Sequence, residues 1–360
     1  MAQRLTSPAQ PAPASAPPTW WRGFLAPIRA VVVLAIIALG AAWLVDSTRV
    51  LSQLSPTSTP STWSPSDQAN LRIVDADWLS EALADPNQSM AVVDLSPENR
   101  YEREHIPGSI HGWWQDGMDP HARVYGERYF STTDPGALAT WFASLGVHPG
   151  DTVVAYDNEG NRHAARLVWQ LANAGFDNAV ILDGGLSAWK GTGFETESGD
   201  SQALATEPEI NGHGEMPVID TEELLRIVEQ GDDTSVVVDV RATDALGDTL
   251  NGTIPMGRIP GSVWVSVDVL YQSGTDLLRW PDEIASMMDD RGIDPGDMVV
   301  LYGRFGINTG LTWLVLDALG YADVRIYDQG WATWASDPDR PIEYITETIP
   351  PNGASSSDPS

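Results

Sequence analysis

Residues 299–320 read VVLYGRFGINTGLTWLVLDALG, and this stretch decides the fold. Its first four residues are apolar and rich in β-branched side chains, which predicts a short buried strand. Apolar residues then recur at helical spacing over 309–319, and Gly320 is a typical helix stop. A strand, a tight loop and a helix place backbone N–H groups at a helix N-terminus, where such groups bind an anion or activate a nucleophile.

The chain contains two similar units of this kind after residue 70. In each unit a strand ends in Asp, an Ile-Pro-Gly-Ser turn follows, and a central strand ends in Tyr. In the first unit these features lie at 91–94, 106–109 and 152–156, and in the second at 236–239, 259–262 and 299–302. Short buried strands that alternate with helices predict an α/β fold with a mainly parallel sheet in each unit.

The repeated motifs resemble the tandem rhodanese-like sulfurtransferase family of the thiosulfate/3-mercaptopyruvate sulfurtransferase type. They are joined by Asp183-Gly-Gly-Leu-x-x-Trp in the first unit and by Trp331-x-x-Trp334 near the end of the second. The resemblance implies two rhodanese-like domains, at 71–197 and 217–349, each with a mainly parallel sheet flanked by helices. In that family the second unit carries a nucleophilic cysteine directly after the Tyr of the central strand, and the first unit usually carries Asp there.

The chain departs from the family at this nucleophile. Asp157 follows the Tyr of the first unit as expected, but Gly303 occupies the family's cysteine position, and the chain contains no cysteine. A rhodanese thiolate accepts a sulfane sulfur and holds it as a persulfide, which requires a strong nucleophile of lowered pKa. Glycine has no side chain, so we expect no catalytic residue at this position and no cysteine-dependent sulfur transfer.

The loop that follows can still bind an anion. Gly303, Gly306 and Gly310 allow a close backbone approach, and Arg304 adds a charge-assisted donor. We expect a small oxyanion such as thiosulfate or sulfate to bind there without turnover; the alternative is that the glycines only permit a tight turn and that Arg304 points into solvent. The candidate residues are Gly303, Arg304, Phe305, Gly306, Ile307, Asn308 and Thr309, supported by Asp239 and Arg241.

Other polar and aromatic residues of the motifs are expected to be structural. Asp94, Asp183 and Asp239 follow strands, where an acid caps loop N–H groups, and Arg241 is placed to pair with Asp239. The tryptophans of the terminal motifs are expected to pack against the sheet. The histidines are not spaced like metal ligands, so we expect no metal and no cofactor; they are His105, His111, His121, His148, His163 and His213.

The composition is strongly acidic, with a formal net charge of −30 and Lys190 as the only lysine. Such a surface repels phosphates, which excludes nucleic acid as a partner. The acidity is typical of a solvated surface, and salt adaptation is the alternative.

The first 70 residues predict attachment to a membrane. Residues 1–27 are expected to be a disordered cytoplasmic segment and 28–45 a transmembrane anchor, because the apolar run is long enough to cross a bilayer and the arginines lie before it. A Ser/Thr/Pro linker at 46–70 would then hold both domains on the extracytoplasmic side. The alternative is a signal peptide, cleaved after small residues near 40, and a secreted protein. A second linker is expected at 198–216 and a disordered tail at 350–360.

Three functions fit these features. The first is binding, either of an anion in the loop or of a protein partner that contacts the aromatic residues Trp113, Trp114 and those within 125–130. The second is an enzyme with a cysteine-free mechanism that uses Asp157, Asp239 or another side chain. The third is a structural ectodomain that serves as a rigid spacer.

Overall fold

The structure, a computed structural model, describes residues 63, 72–124, 127–128, 131–200, 218–231, 234–246, 252 and 254–345. The anchor predicted at 28–45, the tail at 350–360 and most of both linkers lie outside these residues. None of the described helices is both long enough and apolar enough to cross a bilayer.

The first domain is built on a five-stranded parallel sheet with strand order β1-β7-β6-β2-β3, accompanied by an antiparallel pair, β4 and β5. Its strands are β1 (Ile73–Val74), β2 (Met90–Asp94), β3 (Ile110–His111), β4 (Arg123–Val124), β5 (Glu127–Arg128), β6 (Thr152–Tyr156) and β7 (Ala179–Leu182). Its helices are α1 (Ala76–Ala84), α2 (Glu98–Tyr101), α3 (Pro135–Ser144), α4 (Arg162–Asn173) and α5 (Gly185–Gly191).

The second domain repeats this arrangement with a four-stranded parallel sheet of order β10-β8-β11-β12. Val218 forms a parallel bridge to Ile326 in the position that β1 has in the first domain. The strands are β8 (Ser235–Asp239), β9 (Gly257–Arg258), β10 (Val263–Trp264), β11 (Met298–Tyr302), β12 (Asp323–Ile326) and β13 (Glu343–Tyr344). The helices are α6 (Thr221–Gln230), α7 (Pro281–Asp289), α8 (Thr309–Ala318) and α9 (Gly330–Trp334).

The central strands β6 and β11 explain why the sequence forms two parallel sheets. Both are almost continuously apolar, and their last four residues are buried, as expected for strands covered by helices on both faces. Register is the same in both domains, with Asp94 opposite Tyr156 and Asp239 opposite Tyr302. The predicted α/β class, with two mainly parallel sheets flanked by helices, is confirmed.

Helices α4 and α8 pack against each other and join the two domains. A Cβ atom on Gly310 would lie 2.9 Å from Cα of Arg166 and 3.2 Å from the carbonyl carbon of Ala165. Real Cβ atoms are not found that close to backbone, so only glycine allows α8 to approach α4 this closely. Gly310 was expected to allow a close backbone approach, and the backbone that approaches it is that of α4.

Trp63 lies within the predicted linker at 46–70 and is packed against the second domain. Its side chain is buried, and its indole N–H donates to the carbonyl of Arg279 at 2.8 Å. A buried indole contributes a large apolar surface and needs one acceptor, and it has both here. The linker is therefore held to the second domain at this residue.

Candidate functional site

A buried network fixes the end of β11, directly before the candidate loop. The Arg241 guanidinium donates from Nε to both oxygens of Asp239, at 2.9 and 3.0 Å, and the Tyr302 hydroxyl donates to Asp239 at 2.9 Å. All three side chains are fully buried. Burial raises the pKa of Tyr302 well above its usual range, and the charge of Asp239 acts in the same direction. Asp239 and Arg241 therefore form a buried, hydrogen-bonded ion pair that stabilises the end of the sheet.

The first domain has the same network without the arginine. Ser96 stands where Arg241 stands, and its backbone N–H donates to Asp94 at 2.8 Å, while Tyr156 contacts Ser109 at 3.0 Å. Burial raises the pKa of Asp94, and the hydrogen bonds from Ser96 and Tyr156 only partly oppose this effect. Of the two strand-end acids, only Asp239 has a guanidinium partner among the described residues.

In the first domain the loop after the central strand encloses a carboxylate. Asp157 Oδ1 accepts from the backbone N–H groups of Glu159 and Asn161, both at 2.7 Å. Asp157 Oδ2 accepts from those of His163 at 2.8 Å and Ala164 at 3.0 Å. The side chain of Asp157 is fully buried. Four amides at the start of α4 thus bind one carboxylate, as the dipole of a helix N-terminus favours.

The loop of the second domain lacks this side chain, and its backbone differs at Ile307, which does not have the positive φ of its counterpart Asn161. Counting from the matched residues Tyr156 and Tyr302, Gly303 corresponds to Asp157 and Gly306 to Gly160. Both of those loop glycines have positive φ angles, +72° at Gly160 and +89° at Gly306, which explains glycine at these two points. The φ angle of Gly303 is not in the positive range, so the backbone conformation does not require glycine at this position.

Position 303 has room for a side chain. A Cβ atom there would be 3.7 Å from Thr309 Cγ2, 3.9 Å from Gly306 N and 4.0 Å from Val240 Cγ2, which are ordinary contacts. Gly303 itself is buried. The alternative that this glycine only permits a tight turn therefore applies to Gly306 and not to Gly303.

Two carbonyl groups of the second loop accept hydrogen bonds from outside the loop or from the start of α8. Gly303 O accepts from the N–H of Trp331 at 2.8 Å. Gly306 O accepts from the Thr309 hydroxyl at 2.6 Å and from the Arg166 guanidinium at 3.0 Å.

The backbone N–H groups of 306–309 have no hydrogen-bond acceptor among the residues that the structure describes. Arg304 is half-buried, and its guanidinium carbon lies 4.9 Å from the centre of the Phe305 ring. This cation–π contact places the Arg304 side chain beside Phe305. The candidate residues 303–309 thus form one loop directly after β11, and the Asp239–Arg241 pair lies at the end of the same sheet, with Asp239 opposite Tyr302.

Arg166 is a site residue that sequence reasoning missed. It belongs to α4 of the first domain, is buried, and reaches the second domain at Gly306 O and at the carboxylate of Asp328. Tyr271 of the second domain makes the reciprocal contact, donating from its hydroxyl to Gly160 O at 2.6 Å. A side chain of each domain therefore donates a hydrogen bond to the carbonyl group of the loop glycine in the other domain. No local pattern marks Arg166, because its partners are distant in sequence.

The aromatic residues proposed as partner contacts have different environments. Trp113 is 39% exposed, whereas Trp114 stacks on His163 with ring centres 4.5 Å apart. Burial lowers the pKa of His163, although the charges of Asp157 and Glu159 oppose this shift. The side chains of 125–130 lie outside the described residues. Of the two tryptophans, Trp113 is the exposed one.

The remaining motif residues pack in the interior. Trp189, Trp331 and Trp334 are buried; Trp189 belongs to an apolar cluster of the first domain, and the other two to a cluster built mainly from the second domain. His105 is buried and stacks on Tyr101 with ring centres 4.0 Å apart. Within the described part of the chain, no group of three or more His, Asp or Glu residues is arranged to hold a metal ion.

Comparison with known proteins agrees with this architecture. A model of the rhodanese-like domain family matches residues 75–192 and 220–337. Thiosulfate sulfurtransferase of Pseudomonas aeruginosa is 30% identical over 260 residues, which cover 71% of this chain and 91% of that protein. Thiosulfate/3-mercaptopyruvate sulfurtransferase 2 of Arabidopsis thaliana is 27% identical over 303 residues, which cover 76% of this chain and 86% of that protein.

A solved structure shares the fold. The anaerobic ergothioneine biosynthesis enzyme from Chlorobium limicola, in complex with trimethyl histidine, aligns with a TM-score of 0.65 and 22% identity, covering 77% of this chain and 71% of that one. The family match spans both repeats, and the sulfurtransferases above match along most of their length. The chain therefore belongs to the rhodanese-like domain family, with two such domains in tandem and no cysteine in either.

Proposed function

We propose that the second domain binds a small oxyanion in the loop 303–309 and does not transfer sulfur through a cysteine. One observation carries this proposal. The equivalent loop of the first domain holds the carboxylate of Asp157 with four backbone N–H groups, whereas Gly303 supplies no group for the same place. The chain thus carries a carboxylate at this position in the first domain and no side chain at the matched position in the second, which supports a ligand there.

The energetics favour an anion in the loop 303–309. Buried amides without an acceptor cost on the order of 1–3 kcal/mol each, so an oxyanion that accepts from them removes a penalty as well as adding contacts. Hydrogen bonds to a charged acceptor are roughly twice as strong as neutral ones. The N-terminus of α8 adds a favourable dipole. The surface charge of −30 opposes the approach of any anion, so we expect affinity to rise with salt.

Calorimetric titration of the full chain with an oxyanion tests this proposal. Sodium sulfate, thiosulfate and acetate are added in turn at constant ionic strength, with sodium chloride as the reference. We expect saturable binding of at least one of them, and we expect Gly303→Asp to lose it because the new carboxylate occupies the loop. A flat titration with all three anions would overturn the proposal.

An enzyme with a cysteine-free mechanism is the competing function. Its candidate side chains, Asp157 and Asp239, are both fully buried and fully engaged, Asp157 by four amides and Asp239 by Arg241 and Tyr302. A carboxylate in such a setting acts as a structural acceptor and not as a base for a substrate. These contacts support binding over catalysis.

We also propose that residues 28–45 anchor the chain in a membrane with both domains on the extracytoplasmic side. The support is the apolar run and the arginines before it. Membrane fractionation of cells that express the full chain or a variant lacking 28–45 tests this proposal. We expect only the full chain in the membrane fraction after a high-pH wash, and recovery of the full chain in the soluble fraction would contradict it.

A further inference from the structure

We infer that a cavity between the two domains binds a small organic dicarboxylate. This interdomain cavity has a volume of about 640 Å³, which is within the range of ordinary small-molecule sites. Glu159, Gly160 and Arg162 line it from the first domain, and residues within 268–291 supply most of the lining from the second. The cavity does not include the loop 303–309, so the inference is independent of the proposed function.

Two arginines of the second domain line the interdomain cavity, and each is held by one backbone carbonyl group. Arg279 donates from Nε to the carbonyl of Val269 at 2.9 Å, and Arg291 donates from Nη1 to that of Met287 at 2.8 Å. Both arginines are half-buried. Among the residues that the structure describes, the other nitrogens of the two guanidinium groups have no acceptor. Each arginine thus has a fixed position and donors left for a ligand.

Neither of these arginines has a carboxylate partner within the described part of the chain. Acidic residues outnumber basic ones by 50 to 20, so carboxylates are plentiful. Other arginines do pair with a carboxylate, namely Arg72, Arg162, Arg166, Arg241, Arg258, Arg325 and Arg340. Two half-buried arginines that line one cavity without a counter-charge therefore point to an anionic ligand.

The acidic residues of the cavity do not neutralise these arginines. Asp268 accepts from the Arg162 guanidinium at 2.8 Å and from the N–H of Thr243 at 2.9 Å. Glu159 lies 3.8 Å from the imidazole of His163, and Asp276 is exposed. The charges of Arg162 and Asp268 compensate each other, which leaves the two unpaired arginines as the main positive charges of the cavity.

The separation of the two arginines favours a ligand with two acidic groups. Arg279 lies two residues before α7 and Arg291 two residues after it. Helix α7 has nine residues, so it is about 14 Å long. The positive charge is therefore divided between two places, which two carboxylates match better than one phosphate group does. Val269 and Met287 also line the cavity and provide apolar contacts for the carbon chain between the carboxylates.

Calorimetric titration of the full chain with dicarboxylates of increasing length tests this inference. Succinate, glutarate, adipate and pimelate are added in turn at pH 7 and constant ionic strength, with acetate as the reference that has a single carboxylate. We expect one dicarboxylate to bind at one site in the cavity, with an affinity that is highest at one chain length. We expect that affinity to exceed the affinity for acetate at least tenfold.

Two variants remove the unpaired charges one at a time. Arg279→Gln and Arg291→Gln should each lower the affinity for the best dicarboxylate at least tenfold, the loss expected when a charge-assisted hydrogen bond is removed. Arg226→Gln is the matched control, because Arg226 is exposed on α6, outside the cavity, and has no ion pair among the described residues. It should bind like the native chain, which separates the effect of the site from that of net charge.

Gly303→Asp distinguishes the cavity from the loop 303–309. We expect this variant to bind the dicarboxylate as tightly as the native chain does. Loss of binding in Gly303→Asp but not in the arginine variants would place the ligand in the loop and overturn the inference.

Other results would also contradict the inference. Absence of binding by all four dicarboxylates would overturn it and leave the proposed function standing. Equal affinity in the native chain and both arginine variants would place the ligand elsewhere. Equal affinity for acetate and for every dicarboxylate would mean that a second acidic group contributes nothing. If one arginine variant does not fold, the other variant and the series of chain lengths still decide the question.

Discussion

Position 303 accepts a side chain without rearrangement, since the nearest atoms to a Cβ there are 3.7 to 4.0 Å away. We therefore predict that Gly303→Cys gains sulfur transfer from thiosulfate to cyanide, by at least about tenfold over the native chain, because the loop amides and the α8 dipole lower a thiol pKa. The initial rate of thiocyanate formation measures this gain. Gly303→Ser is the control, since a hydroxyl cannot carry the sulfur.

Two outcomes of that assay would contradict this reading of the site. Turnover by the native chain would mean that a cysteine-free mechanism exists, and Asp157 would be the first residue to substitute. A folded Gly303→Cys variant without activity would mean that the amides of residues 306–309 do not support a thiolate.

Asp183 provides a prediction about pH. It is half-buried at the end of β7, where Leu278 N of the second domain donates to it at 2.9 Å. Burial raises the pKa of Asp183 to about 7, against the effect of the N–H groups of Leu278 and Gly184. Since this pKa is above its ordinary value of 3.8, the contribution of Asp183 to stability is complete below pH 4 and is lost as the pH rises through 7.

The variant Asp183→Asn isolates this effect, because an amide oxygen still accepts from Leu278 but does not ionise. We expect native chain and variant to have similar unfolding free energies near pH 4, and the variant to be more stable by up to a few kcal/mol at pH 8. Urea unfolding at a series of pH values measures the difference. A difference that does not change with pH would mean that Asp183 stays ionised throughout.

At the scale of the elements, the contact between α4 and α8 depends on one glycine. A Cβ atom on Gly310 would lie 2.9 Å from Cα of Arg166, and backbone cannot move aside as a side chain can. We predict that Gly310→Ala lowers the unfolding free energy by about 1–3 kcal/mol through overpacking. Gly296→Ala is the matched control, because no atom lies within 4 Å of a Cβ there, and we expect it to be neutral.

Thermal unfolding of the two variants measures this difference. Because Arg166 also holds Gly306 O, a shift of α4 away from α8 should disturb the loop as well. We therefore expect Gly310→Ala to weaken anion binding in addition to lowering stability. Unchanged stability in Gly310→Ala would mean that the helices can separate without cost.

The elements also show which features the sequence can predict. The helix predicted at 309–319 is Thr309–Ala318, and the strand predicted at 299–302 is Met298–Tyr302, because periodicity and a terminal glycine are local signals. The bond from Arg166 to Gly306 spans 140 residues, so no local pattern could reveal it. The close packing of α8 on α4 at Gly310 could not be predicted either, because it depends on a contact between the two domains.

The candidate anion site at 303–309 stays a prediction, and the contacts around its counterpart in the first domain were not predicted. Asp157 and Gly303 were recognised as equivalent positions from the matched motifs. The four amides around Asp157 were not predicted, since they depend on the loop conformation at Gly160 and Asn161, both of which have positive φ. Glycine followed by asparagine before a helix is a signal for left-handed backbone, and it could have suggested that the carboxylate is enclosed.

For the whole molecule, the dominant feature is uncompensated negative charge. The chain has 50 acidic residues against 20 basic ones. The effect is visible at Tyr321, where burial together with the charges of Asp294, Asp297 and Asp289 raises the pKa to about 12. Self-repulsion of this kind destabilises the compact state, and salt screens it.

We therefore predict that the melting temperature rises by several degrees between about 0.02 and 0.5 M sodium chloride, because salt screens the repulsion among the acidic side chains. Scanning calorimetry at pH 7 measures this shift. Screening depends on ionic strength and not on the identity of the ion, so potassium chloride and magnesium chloride at matched ionic strength should give the same curve. A rise in melting temperature that depends on the identity of the ion would indicate specific ion binding. A melting temperature that does not change with salt would mean that repulsion among the acidic side chains does not lower the stability of the fold.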